Sequence, residues 1–160
     1  MIVKAIIDED FNNYKQPSMF IGTCCCDWKC AKEGGFNISI CQNSTLTQTE
    51  NIDISNEEIY QRYINNSITK AIVVGGLEPM LQFDELYELI QYFRNLNCLD
   101  NFVIYTGYYD YEIQDKLNLL ARFPNIIVKF GRFIPNQEKH YDEVLGVYLA
   151  SDNQYAEKIS

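Results

Sequence analysis

The chain has 160 residues, 47% hydrophobic and 22% charged, with 12 Tyr and 9 Phe; this excludes a disordered segment and predicts one folded domain spanning 1–160. A formal charge of −9 excludes a protein that coats nucleic acid, because phosphate binding needs Lys and Arg to displace counterions. No apolar run reaches membrane-spanning length, and residues 1–11 turn acidic too early for a signal peptide, so a cytoplasmic setting, where thiols stay reduced, is expected.

Residues 2–7, IVKAII, predict a first strand. The polar stretch 8–17 ends in Pro17 and reads as a loop, and the apolar run SMFIGT at 18–23 delivers the chain into a set of cysteines. Residues 31–54 carry Gly34-Gly35 and many Asn, Ser and Thr. They predict a long irregular loop of the kind that usually has a functional role. Ser55 and Glu58 have capping-box spacing, with Ile59, Tyr60, Tyr63 and Ile64 on one helix face behind them. The run KAIVVGG at 70–76 predicts a buried strand closed by two glycines. A helix from Gln82 to Leu96 follows from the spacing of Phe83, Leu86, Ile90 and Phe93. A strand at 101–107 again ends in glycine. Asp110 is placed to cap a helix to about Arg122 with Ile113, Leu117, Leu120 and Ala121 inward. NIIVKF at 125–130 and LGVYLA at 145–150 predict two further strands, and Asn153 to Ile159 a short terminal helix.

Apolar strands alternating with amphipathic helices predict parallel βα units. The helices are too few for a complete eight-stranded barrel. The expected fold class is therefore α/β, a partial, open (β/α) barrel with mostly parallel strands and one layer of helices. Ligands of such folds bind at the carboxyl ends of the strands. There the sequence places the cysteines after 18–23, GGLEP at 75–79, Thr106-Gly107-Tyr108 and Gly131-Arg132-Phe133. Four strand ends with unusual residues predict one shared site.

Five of the six cysteines lie between residues 24 and 41, around the only tryptophan, Trp28. A disulfide framework is a poor explanation in a reducing compartment, where such clusters bind metal or do redox chemistry. If residues 24–26 are extended, Cys24 and Cys26 point one way and Cys25 the other. Cys26 and Cys30, with three residues between them, can close on one centre, and Cys41 can join across a glycine-containing loop. Three thiolates predict a cubane iron–sulfur cluster with one iron left open, since four cysteines would fill all positions. Zinc is the alternative metal, but its paired short spacings or added histidines are missing, His140 being the only histidine. Cys25 and Cys98 read as small buried hydrophobes, and Cys24 fits either role.

These segments resemble the radical S-adenosylmethionine (SAM) enzymes, and among them the small activating proteins of anaerobic ribonucleotide reductase. The resemblance rests on PSMFIGTCCCDWKC at 17–30, CQN at 41–43, GGLEPM at 75–80, IYTGY at 104–108, GRF at 131–133 and ASDNQ at 150–154. The family's cysteines are separated by three and then two residues. Here Cys26, Cys30 and Cys41 have three and then ten between them, as if the loop carried an insertion, and Leu77 interrupts the family's Gly-Gly-Glu-Pro.

The resemblance implies a 4Fe-4S cluster held by Cys26, Cys30 and Cys41. It implies that SAM is chelated at the open iron and reductively cleaved to a 5′-deoxyadenosyl radical. Gly75 and Gly76 would let the backbone approach SAM, Glu78 would accept its ammonium, Thr106 and Tyr108 would contact it from the next strand, and Ser151 and Asn153 would meet the adenosyl part. Trp28 would shield the cluster or touch adenine; read alone, it is equally a core aromatic. The implied partners are a glycyl radical enzyme and a one-electron reductant. The alternatives are radical modification of a small molecule or peptide, or a non-catalytic iron–sulfur or zinc binding module. Lys32 and Glu33 read as a solvated pair, and His140, in a polar stretch, as exposed.

Overall fold

Segments that are apolar on both faces must be covered on both, and pairing them side by side in parallel leaves room for helices to return across one face. The computed structural model, which describes residues 1–160, shows this arrangement. Its elements in chain order are β1 (Ile2–Asp10), β2 (Ser18–Thr23), α1 (Lys29–Gly34), β3 (Ile52–Asp53), α2 (Asn56–Ile64), β4 (Ala71–Gly76), α3 (Phe83–Asn95), β5 (Asn101–Tyr105), α4 (Gln114–Leu120), β6 (Ile126–Phe130), β7 (His140–Asp142), β8 (Val147–Leu149) and β9 (Tyr155–Lys158). Seven strands form one sheet in the order β3-β1-β2-β4-β5-β6-β9. β2, β4, β5 and β6 run parallel, while β1, β3 and β9 pair antiparallel at the flanks. The fold is α/β with a mixed sheet rather than the mostly parallel one expected. No helix is long and apolar enough to cross a membrane.

Side chains alternate between the two faces. Ile72, Val74, Phe102, Ile104, Ile126 and Val128 join Ile59 and Tyr63 of α2 and Leu86, Leu89, Ile90 and Phe93 of α3 in the larger core. Ala71, Val73, Val103 and Ile127 face the other way and pack against Tyr14, Leu145 and Leu149. The strand expected at 145–150 is present as β8. β8 pairs only with β7, and this hairpin lies outside the main sheet. His140 opens that hairpin and is partly covered.

The capping box forms as the spacing demands. Ser55 Oγ accepts the Glu58 amide at 3.1 Å, and Glu58 accepts the Ser55 amide at 3.0 Å. Tyr109, not Asp110, takes the cap position before a 3-10 turn over Asp110–Glu112, and α4 follows that turn.

The terminal helix expected over 153–159 is instead β9, with Ala156 opposite Lys129. The open edge of β6 presents backbone groups that need partners, and this segment supplies them, down to Ile159 N–H donating to the Ile126 carbonyl at 2.9 Å. A tertiary demand of this kind outweighs a weak local helix preference.

Candidate metal centre

β2 ends at Thr23, whose Oγ1 donates to the Gly75 carbonyl at 3.0 Å. Past that point the backbone is no longer a strand, so the alternation expected for 24–26 does not hold. Cys24 sides with Cys25, their sulfurs 3.1 Å apart, and both border a shallow pocket with Met80, Gln82 and Glu85. Cys26 turns to the other side. The cysteine turn is tied to the loop after β4. Cys24 N–H donates to Gln82 Oε1 at 2.6 Å, and Glu78 N–H donates to the Cys25 carbonyl at 2.7 Å.

Cys26, Cys30 and Cys41 border one cavity of about 530 Å³ at the carboxyl ends of the parallel strands, a volume typical of ligand sites, roughly 300–1,000 Å³. The long gap before Cys41 is filled by real structure. α1 ends at Gly35, φ +65°, and Phe36 packs edge-on against Phe133 with centroids 6.0 Å apart. The loop thereby returns to the cavity and brings Cys41 with it. All six thiols are free. Trp28 borders the cavity from inside the cysteine loop and holds a left-handed backbone, φ +60°, which is unusual for a bulky residue. Its N–H donates to Cys26 Sγ at 3.3 Å.

Burial raises the Cys26 thiol to about 12, against the pull of the Trp28 N–H. Burial also raises Cys30, opposed by the Phe133 N–H and by the charges of Arg132 and Lys129. A metal taken up here must therefore displace thiol protons.

Glu78 is buried at the cavity wall. Its carboxylate accepts Thr106 Oγ1 at 2.7 Å, Gly107 N–H at 2.8 Å and Met80 N–H at 3.0 Å. Burial raises its pKa, and these three hydrogen bonds oppose the rise. Beside it on β6 lies Lys129, also buried and lining the cavity, with Nζ donating to the Gly131 carbonyl at 3.1 Å. Full burial lowers its pKa to about 8. One buried carboxylate and one buried amine thus share the cavity with the three thiols.

Arg132 clamps the cysteine loop from below. Its guanidinium bonds Glu33 of α1 at 2.9 and 3.2 Å, Glu112 at 2.7 Å and the Gly107 carbonyl. Lys29 also pairs with Glu112. Glu33 is therefore a partner of Arg132, not half of a solvated pair with Lys32. The Arg132 and Lys29 contacts hold the Glu112 carboxyl down at about 2.

Of the residues singled out from the sequence, Cys26, Trp28, Cys30, Cys41, Gly76, Glu78 and Thr106 border the cavity. The other four do not. Gly75 lies beneath it, where a Cβ would come 3.1 Å from the Tyr105 Cβ. Tyr108 donates to Asp27 at 2.6 Å and stacks under Arg132. Ser151 is buried against Ile134, its Oγ accepting that amide at 2.8 Å. Asn153 donates to the Arg132 carbonyl at 2.9 Å and to the Tyr109 hydroxyl at 3.0 Å. These four build the frame around the cavity. Sequence reasoning placed Arg132 at one of the strand ends without giving it a role, and passed over Lys129. The available signal was a lysine inside the apolar run NIIVKF, since lysine is almost never fully buried without a partner.

No three Cys, His, Asp or Glu side chains converge as ligands of a single metal ion. This arrangement does not offer a zinc site, which needs four donors around one point. A cubane cluster asks for something different, because each thiolate binds its own iron corner. Three soft sulfur donors spread around one cavity match that demand. Gly107 adds room beside one of them, since a Cβ there would lie 3.2 Å from Cys30 Sγ and 3.5 Å from Glu78 Oε2. In donor type, three soft thiols, the residues present suit a cluster.

Compared with known families, residues 18–155 match the one described as 4Fe-4S single cluster domain. No curated protein and no solved structure matches the chain.

Proposed function

The chain belongs to the 4Fe-4S single cluster domain family, and from that premise we propose that it holds one cluster on Cys26, Cys30 and Cys41 and offers the fourth iron to S-adenosylmethionine. The observation that carries this reading is the company the three thiols keep: they border one cavity with a buried carboxylate, Glu78, and a buried amine, Lys129. An amino-acid zwitterion presents the two complementary charges, and chelation of an iron by its amino and carboxylate groups would bring it to this wall. Reduced, and with SAM bound, the cluster would supply one electron to the sulfonium and release a 5′-deoxyadenosyl radical.

The chain's own residues bind, orient and exclude water. Thr106 Oγ1 and the Gly107 N–H fix the Glu78 carboxylate. Lys129 supplies positive charge in a dry setting, where an ion pair is stronger than in water. Trp28 walls the cluster side, and Gly76, at φ +82°, makes a turn that other residues adopt with strain. The resemblance to activating proteins supports a glycine of a glycyl radical enzyme, such as anaerobic ribonucleotide reductase, as the hydrogen donor, with a separate one-electron reductant and a cytoplasmic setting.

One observation favours a second reading, a cluster-binding module without SAM chemistry. Glu78 already accepts three hydrogen bonds from the chain itself, which leaves little capacity for an ammonium. Anaerobic reconstitution separates the two. The SAM reading expects about four irons per chain, a change in the electron paramagnetic resonance spectrum of the reduced cluster on adding SAM, and 5′-deoxyadenosine among the products. Four irons with a spectrum indifferent to SAM leave the module. A colourless protein with stoichiometric zinc overturns both.

A further inference from the structure

The cavity leaves two adjacent cysteines unused. Cys24 and Cys25 stand outside it, both partly exposed, with their sulfurs 3.1 Å apart and one thiol hydrogen shared between them. That is closer than ordinary non-bonded sulfur contact. The pocket they border, with Met80, Gln82 and Glu85, is shallow and open, so a small oxidant reaches this pair without entering the cavity.

We infer that Cys24 and Cys25 form an oxidisable dithiol, a two-electron modification site that a small-molecule disulfide closes into a bond between neighbouring residues. One cysteine, as thiolate, attacks a sulfur of the oxidant and forms a mixed disulfide, releasing one small thiol. The other cysteine then attacks the protein sulfur of that mixed disulfide and releases the second. The pair loses two electrons and two protons, and the oxidant takes both as its two thiols. Adjacent Cα atoms lie about 3.8 Å apart across a trans peptide, below the usual disulfide span of about 4.4–6.8 Å. The bond is therefore strained and readily reduced, as a reversible site requires and a structural staple does not.

The position of the pair gives this bond a consequence. Closing it must turn the Cys24–Cys25 peptide segment, and that segment carries both ties to the loop after β4: Cys24 N–H to Gln82 Oε1 and the Cys25 carbonyl to Glu78 N–H. Cys26 follows directly. Oxidation at the outer pocket thus loosens the anchor of Glu78 and shifts a cavity cysteine. This holds whatever the cavity binds.

The test uses anaerobically prepared protein with its metal content intact, equilibrated with mixtures of glutathione and glutathione disulfide. Free thiols are then blocked with N-ethylmaleimide under denaturing conditions and the protein is cut with trypsin. The peptide spanning 16–29, between cleavage after Lys15 and after Lys29, holds Cys24, Cys25 and Cys26 and no other cysteine. The expected result is maleimide on all three in reducing mixtures and on Cys26 alone in oxidising ones, restored by dithiothreitol. In the oxidised state the Glu78 amide should exchange its hydrogen about tenfold faster, the loss of one buried hydrogen bond. In the wild type the protected pair should carry no glutathione, whereas in Cys24→Ser and Cys25→Ser the remaining cysteine should carry maleimide or one glutathione, because no second thiol is there to release it. Three maleimides at every ratio, or protection that includes Cys26, overturns the assignment. A bond at 24–25 with unchanged exchange at Glu78 overturns the link to the cavity. The wild-type labelling decides the first question even if a serine variant fails to fold.

Discussion

The two faces of the central sheet are made by the same strands and do opposite work. Toward α2 and α3 the contributors are buried, mostly aliphatic and aromatic side chains, with the Phe93 ring 5.2 Å from Phe102 and 5.1 Å from Tyr60. On the other face the strands start with small residues under the β7–β8 hairpin and finish with Lys129, Glu78 and the thiols around the cavity. β6 shows the split within two residues: Val128 joins the helices and Lys129 lines the cavity. Stability is concentrated on one side of the sheet, and groups whose burial costs free energy are concentrated on the other.

The contrast breaks first at the cysteines. Cys30→Ala should take the reconstituted protein from about four irons per chain to almost none, while the melting temperature of the metal-free protein stays close to wild type. Phe93→Ala should do the reverse. Urea denaturation should show a loss of about 3–5 kcal/mol, with iron per folded molecule unchanged. If Phe93→Ala instead empties the cluster without lowering stability, the division between faces is wrong.

Arg132→Met should cost about 2–3 kcal/mol in the same assay, less than a fully orphaned buried charge because Lys29 still faces Glu112. The loss should appear as faster hydrogen exchange in α1. Lys129→Met has the opposite sign. Replacing a buried ammonium with a hydrocarbon should stabilise the metal-free protein by about 1–3 kcal/mol and, on the proposed function, weaken the spectral change that SAM produces. A destabilised Lys129→Met would mean that the lysine holds the sheet together rather than serving the cavity.

The smallest effect is acid-dependent. The Glu112 carboxyl is held at about 2 against an ordinary 4.5. Its contribution is therefore fully present above pH 4.5, where both states are ionised, and is lost as the pH falls from 4.5 toward 2. The stabilities of wild type and Glu112→Gln, from urea denaturation followed by near-ultraviolet circular dichroism, should differ above that interval and converge below it.

Much of the helix-facing side was legible in the sequence, because periodicity reports burial directly. The spacing of Phe83, Leu86, Ile90 and Phe93 yields α3, and the continuous apolar runs yield β4, β5 and β6. The cavity side was legible only in part. Spacing groups Cys26, Cys30 and Cys41, and they border one cavity. The side on which Cys24 lies depends on where β2 stops, and Thr23, bonded to Gly75 on the neighbouring strand, fixes that stop. Ser151 and Asn153 sit near the cavity in sequence order yet bond to Ile134 and Arg132, contacts that no local pattern encodes. β9 and the detached position of the hairpin were illegible for the same reason, although β8 itself falls inside the strand expected at 145–150. An unpaired edge of β6 and a bare inner face decide their places, and both exist only after the sheet has formed.

Trp28 is the chain's sole indole, and it stands on the wall that the thiols share. Its emission is therefore an optical gauge built into the loop. A chromophore bound between Cys26 and Cys30 would sit within energy-transfer range and darken it, so filling and emptying of the centre can be followed in real time without a dye.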